Sequence, residues 1–216
     1  LKSSRKSYKI YVQVFFLLFC ITIVNAQKTL SRSYSASGIE NILIDGNGVH
    51  LLKVRAAKVK AISVRVRLEG ETSEEIGIKE QLKGDRLQLG FGSWPFAKMY
   101  NDKLSAHKVV SVEVVITIPE NMFVSLTSNT TAVVAQGKFR FLYVDIEDED
   151  CLLKNFLGGA SLKTNRGRIT IKTQQPQVTV KAASTYGTVI NSVKTGGKYR
   201  ITAKSVHGDI TLQQTQ

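Results

Sequence analysis

A chain of 216 residues holds one sizeable domain or two small ones. Thirty Lys and Arg against 17 Asp and Glu give a formal net charge of +13, which favours acidic partners such as phosphate-bearing envelope glycans, anionic lipid surfaces or nucleic acid. The basic residues Arg65, Arg67, Lys163, Arg168, Lys172, Lys181, Lys198 and Arg200 are spread along alternating segments, where a solvated face needs them in any case. Nucleic-acid binding asks for basic residues interleaved with stacking aromatics. Only Tyr186 and Tyr199 qualify near the C-terminus, which argues against it.

Residues 1–26 have the pattern of a secretory signal. Lys2, Arg5, Lys6 and Lys9 form a positive segment, residues 10–24 are almost wholly apolar, and Val24-Asn25-Ala26 offers a small-residue cleavage site before Gln27. The apolar run of about 15 residues is short of the roughly 20 that a spanning helix needs. Cys20 follows Phe19 rather than a small residue, which argues against a lipoprotein signal. Loss of this segment removes four positive charges and no negative ones, so the mature chain carries +9. It also leaves Cys151 without a partner for an intrachain disulfide. Lying between Asp150 and Leu152, Cys151 reads as a small buried hydrophobe rather than a reactive thiol.

Residues 27–38 read as a polar, extended leader. Ile42 and Ile44 open a strand, Asp45-Gly46-Asn47-Gly48 a turn, and Val49, Leu51 and Val54 resume. Residues 61–68 alternate cleanly, Ile62, Val64, Val66 and Leu68 opposite Ser63, Arg65 and Arg67, so one face is buried and the other wet. Residues 76–82 and 86–91 form a hairpin about Lys83-Gly84-Asp85. A helix over 74–82 is the weaker reading because Gly77 interrupts it.

Residues 92–107 break the alternation and hold the only Trp. Trp94, Phe96 and Tyr100, with Met99 among them, form a candidate ligand-contact loop, because planar side chains stack on sugar rings and anchor interfaces. The same loop could cap an open end of the fold, and both readings stand. Residues 109–118 alternate again and stop at Pro119-Glu120-Asn121. Residues 139–146 are apolar on both faces, as in a central strand. Four consecutive carboxylates, Glu147 to Asp150, suggest calcium. Neighbours on an extended chain point to opposite sides, however, and D-x-D-x-D-G spacing is absent, so a solvated acidic turn is the reading.

The C-terminal stretch repeats one phrase three times: T-N-R-G-R-I-T-I from Thr164, S-T-Y-G-T-V-I-N from Ser184 and S-V-H-G-D-I-T-L from Ser205. A degraded copy begins at Ser128, with Thr131 in the Gly place. The glycines Gly167, Gly187 and Gly208 lie 20 and 21 residues apart. A fixed period near twenty, too short for a core of its own, predicts units that bury apolar faces by stacking on one another. Each Gly is expected to supply a positive φ at a corner. The fold class expected is all-β: a β-solenoid-like stack with rungs of about 20 residues over 109–216, and an N-terminal β region, 39–108, packed on it. An antiparallel sandwich fits the turn spacing as well, but not the constant period.

The I-x-I-D-G-N-G-V-x-L opening, the V-x-V-x-I-P segment before the repeats and the S/T-x-x-G-x-I/V repeats resemble the adhesin families of bacterial envelope proteins known as head-GIN-domain or "putative auto-transporter adhesin" proteins. The likeness covers residues 39–212, and the signal ending V-N-A-Q has the look of the Bacteroidota. It implies an exported, right-handed solenoid-like protein of adhesive or envelope-structural role, with a glycan or another protein as partner. No translocator follows the last repeat, so "auto-transporter" does not describe this chain literally. The family brings no catalytic residues to carry over.

The residues point the same way. A glycosidase needs two carboxylates about 5 to 10 Å apart across a groove. The repeat region offers only Asp145, the acidic run and Asp209. His50, His107 and His207 lie in separate segments without metal-ligand spacing. The expectation is therefore a non-catalytic surface module, with no catalytic, metal or cofactor-binding residues. A carbohydrate-active β-helix enzyme and a purely structural periplasmic protein are the alternatives.

Overall fold

The structure, a computed structural model, describes residues 27–69, 76–93 and 111–215. Among them there is no helix, and fifteen strands join in one sheet that does not close. In chain order these are β1 (Gln27–Ser35), β2 (Asn41–Asp45), β3 (Leu51–Ala57), β4 (Ala61–Glu69), β5 (Ile76–Lys83), β6 (Arg86–Ser93), β7 (Ser111–Pro119), β8 (Phe123–Ser128), β9 (Ala132–Ile146), β10 (Cys151–Thr164), β11 (Ile169–Thr173), β12 (Val178–Ser184), β13 (Val189–Asn191), β14 (Thr195–Ser205) and β15 (Ile210–Gln214). The expected leader is thus a strand, and the 76–91 hairpin is present with Lys83 opposite Arg86.

The fifteen strands make two layers. The first runs β1-β4-β7-β3-β9-β10-β11-β15-β13, the second β5-β6-β2-β8-β9-β10-β14-β12. β9 and β10 are long enough to serve both: the first half of each lies in the first layer and the second half in the second. Each rung is a second-layer strand, a short corner and a first-layer strand. Only β1–β4, β4–β7 and β5–β6 pair antiparallel, so a plain antiparallel sandwich is not the architecture.

Alternation explains which face each strand buries. β7 alternates half-buried and buried from end to end. Ile44, Leu126, Val144, Leu162 and Ala203 point inward from the second layer, and Leu52, Val114, Val133, Leu153, Ile171 and Leu212 from the first, all in one core. Each fully buried Leu or Ile stabilises the fold by about 1.5–3 kcal/mol relative to an exposed one. Cys151 belongs to this core, and its thiol is pushed up to about 12 by burial, with the charge of Asp150 adding to it.

Two expectations about the stack need correction. Neighbouring rungs from β8 to β11 are 18 residues apart, as Val124↔Leu142, Leu142↔Ala160 and Cys151↔Ile169 show. The spacing near twenty reflects something else. The last rung, β14 with β15, lies between β10–β11 and β12–β13, so Ile169 pairs with Ile210 and Val189 pairs with Ile210 from the other side. The last two rungs are interchanged relative to the chain. A second interchange occurs at the other end, where β2 and β3 sit between the β6–β7 rung and the β8–β9 rung.

Candidate functional site

The corner between the layers is built by the repeated phrase. In its last copy the Gly208 N–H donates to the hydroxyl of Ser205 at 2.8 Å, and that hydroxyl donates to the Gly167 carbonyl at 3.5 Å. Ser184 repeats the device: its hydroxyl accepts from the Gly187 N–H at 3.0 Å and donates to the Gly208 carbonyl at 2.8 Å. Thr164 does the same between the Gly167 N–H and the Glu147 carbonyl. Serine and threonine are needed because one small group must both accept and donate within a tight turn.

The three repeat glycines do not have the positive φ expected of them. They are glycines because successive corners press together. A Cβ would lie 1.7 Å from the Glu149 carbonyl oxygen at Gly167, 1.8 Å from that of Gly167 at Gly208, and 2.4 Å from that of Gly208 at Gly187. The sequence of contacts, 149 to 167 to 208 to 187, traces the interchanged order. Where Thr131 replaces the Gly, its buried hydroxyl donates to the carbonyls of Gly46 and Val49. Positive φ is found instead at Gly48 in the Asp45–Gly48 turn and, on the opposite edge, at Gly137 and Gly158, which bend β9 and β10 from one layer into the other.

Outside this ladder the corner carries two charged columns. Arg166 grips Asp148 through Nε at 2.7 Å and Nη2 at 2.5 Å, and Arg168 reaches Asp150 through Nε at 3.1 Å and Nη2 at 2.7 Å. With Lys163–Asp145 at 3.3 Å, all three pairs span one 18-residue rung step. Two of the four carboxylates in the acidic run, Asp148 and Asp150, are therefore cross-rung ion-pair partners rather than merely solvated. The Arg166 hydrogen bond holds the Asp148 carboxyl below its ordinary value. For Asp150, burial acts to raise the pKa, but the side-chain and backbone hydrogen bonds of Arg168 and its charge outweigh that and lower it. Further along, the ring of Tyr186 stacks on His207 at 4.9 Å between centroids, and Thr188 N–H donates to Asp209 at 2.7 Å.

Beside the corner, the outward side of the second layer holds a shallow concavity of about 630 Å³. It is lined by Leu43, Asp45, Lys79, Gln81, Gln88, Gly90, Ser125 and Thr127 among others. These are the outward residues of four adjacent strands: Gln81↔Gln88 across β5–β6, Gln88↔Leu43 across β6–β2 and Leu43↔Ser125 across β2–β8. Gly90, without a side chain, leaves the dip between Lys79 and Asp45. Amides, hydroxyls, the Lys79 ammonium and the carboxylates of Asp45 and Glu80, held on rigid strands, suit sugar hydroxyls or a polar protein surface.

A second cavity of about 480 Å³ opens between the edge strands β1 and β5, lined by Leu30, Arg32, Ile76, Ile78, Lys79 and Glu80 among others. Tyr34 donates its hydroxyl to Glu80 across this mouth, and burial, reinforced by that carboxylate, raises the Tyr34 pKa. Charged residues turned inward on edge strands discourage a further strand from adding there.

Trp94, Phe96 and Tyr100 lie outside the described residues, as do residues 1–26. The strands on either side of the aromatic segment are placed: β6 ends at Ser93 beside β2, and β7 begins at Ser111 beside β3. Gly48 sits 3.6 Å from the Phe91 carbonyl in the sense of a Cβ contact, and His50 N–H donates to the Val112 carbonyl at 2.9 Å. Among the described residues no group of three or more His, Cys, Asp or Glu could hold a metal ion. Sequence reasoning missed the ion-pair columns, although the offset of 18 from Asp145, Asp148 and Asp150 to Lys163, Arg166 and Arg168 was readable.

A crystal structure of a "putative cell adhesion protein" from Clostridium sporogenes is similar over 88% of this chain and 100% of that one, with TM-score 0.62 and 17% identity. This chain shares its fold. Of the fold expected from the sequence, the all-β class is present. A "putative adhesin" from Bacteroides fragilis aligns over 88% of this chain and 99% of its own at 13% identity, with a TM-score of 0.40. No protein-family model matches the sequence, and no curated protein does.

Proposed function

We propose that this chain is a non-catalytic cell-envelope or surface protein, an adhesin-like module that binds a glycan or another protein. On this reading residues 1–26 are an export signal, and the stack of 109–216 winds as a right-handed solenoid with 39–108 packed on it. Right-handed winding is the expectation because crossovers between parallel strands of one sheet take that hand in nearly all proteins. The observation that carries the proposal is the fold shared with the cell adhesion protein over the whole length of that chain.

The outer surface supports it. Of the carboxylates weighed for a glycosidase, Asp145, Asp148 and Asp150 pair with cations of the next rung, and Asp209 accepts a backbone N–H. The concavity beside the corner presents fixed polar groups instead. A glycan array probed with residues 27–216, at low and at high salt, tests the reading. Saturable binding that survives salt supports it, and loss of that binding in a Trp94→Ala/Phe96→Ala/Tyr100→Ala variant would assign the site to the loop. Turnover of an acidic polysaccharide that vanishes with Asp209→Asn would replace the proposal with an enzyme.

A further inference from the structure

We infer that the C-terminal part of the second layer's outer face is a binding band for an anionic glycan. The inference rests on the binding-module reading and names the ligand class and the residues. Between Asp150 and Asp209 the chain holds ten Lys and Arg and no Asp or Glu. Three of those ten, Lys163, Arg166 and Arg168, are matched by carboxylates of the preceding rung. Arg200 and Lys204 on β14 and Lys181 on β12 are exposed and have no carboxylate partner among the described residues.

The pairing places these three cations together. Thr179 lies opposite Arg200, Lys181 opposite Thr202 and Ala183 opposite Lys204, and Lys204 adjoins Lys163 across β10. Adjacent strands are about 4.8 Å apart and alternate residues about 6.7 Å apart along a strand. The cations' α-carbons therefore form a triangle with two sides of about 8 Å and one of about 13 Å. Between them the surface is low and hydroxylic, with Ser161, Thr202 and Thr179.

An aromatic border completes the band. Phe141, half-buried on the outward side of β9, is paired with Gly159, where a Cβ would lie 2.9 Å from its Cδ2. The ring leans over the glycine toward the backbone of Arg200, which lies 3.5 Å from the same Cβ position. A bare backbone there lets the ring lie low beside the cations. A ring beside unpaired positive charge suits a sugar that carries a carboxylate or sulfate: the ring takes the apolar face and the cations take the anion. Single-stranded nucleic acid wants successive open rings. The next ring along, Phe123, is covered by the Arg140 guanidinium at 4.7 Å, and Tyr143 donates its hydroxyl to Asp145 at 3.0 Å. Two half-buried rings on one strand, Phe141 and Tyr143, the second tied at its hydroxyl, fit a charged sugar beside these cations better than a run of bases.

The test is calorimetric titration of residues 27–216 with three probes: an oligogalacturonate, its fully methyl-esterified neutral form, and a single-stranded DNA oligomer of equal charge. A Lys181→Gln/Arg200→Gln/Lys204→Gln variant is expected to bind the oligogalacturonate on the order of tenfold or more weakly. A matched variant of the opposite face, Arg55→Gln/Lys154→Gln/Lys172→Gln, removes the same charge and is expected to bind nearly as the parent does. Phe141→Leu should weaken binding without lowering the unfolding temperature much. Equal losses from both triple variants, or tighter binding of DNA, would overturn the band. If the neutral ester binds as well as the acid and the first triple variant is silent, the anionic band falls while glycan binding stands. If neither sugar binds and the glycan array is empty, both fall.

Discussion

A methyl group on the α-carbon of Gly208 would sit 1.8 Å from the Gly167 carbonyl, whereas at Gly84, where φ is +60°, it would meet open space. The two glycines answer different demands, and alanine separates them. Gly208→Ala must push two corners apart and is expected to cost about 3 kcal/mol or more, at the upper end of overpacking. Gly84→Ala is expected to cost about 1–2 kcal/mol, the strain of a left-handed residue. Chemical denaturation of both variants checks the order. Asp148 and Asp150 make a prediction in pH. Their folded pKa values lie below the ordinary 3.8, so the unfolded chain binds more protons and stability rises with pH through that region. Their contribution is complete above about pH 4–5 and is lost as the pH falls through the folded values. Asp148→Asn/Asp150→Asn should flatten the acid limb of the stability profile and leave the limb above pH 5 parallel to the parent's. Cys151, buried and held protonated to about pH 12, should resist alkylation at pH 8 until the protein unfolds.

At the scale of elements, β15 is interior although it ends the described chain. Its Ile210 and Leu212 are fully buried between β11 and β13, whereas β13 is exposed along its length. Amide protons of β15 should therefore exchange more slowly than those of β13, the reverse of what a stack built in chain order would give. Removing residues 206–216 forfeits about 3–6 kcal/mol from those two side chains alone. It should also release β12 to β14, seen as proteolysis near Lys181 or Lys194. The strands themselves were legible because a period of two survives in short segments such as Ile62, Val64, Val66 and Leu68. The Ser/Thr–Gly corners were legible because hydroxyl and glycine are both demanded by the geometry. The reason for the glycine was not, since φ and close approach ask for the same residue. Rung order was hidden too: alternation says which face a residue takes and nothing of which strand lies beside it. The outer band depends on that order, for Arg200 and Phe141 are 59 residues apart in the chain and become neighbours only when β14 docks on β10.

At the scale of the molecule, the two ends of the stack are managed differently. The β1–β5 end carries Arg32 and Glu80 turned inward, and the β12–β13 end leaves Val189 and Ile190 partly open. Both interchanges have a bearing on time as well as space. A chain made from its N-terminus presents β2 and β3 long before β6, β7, β8 and β9, the strands that will flank them. It likewise presents β12 and β13 before the rung that must separate them from β11. Neither end can be assembled by laying each rung on the last as it emerges. The stack can grow stepwise only through its middle, from β8 to β11, and both ends wait for later sequence. The C-terminal end closes only when β14 and β15 are available to enter between β10–β11 and β12–β13.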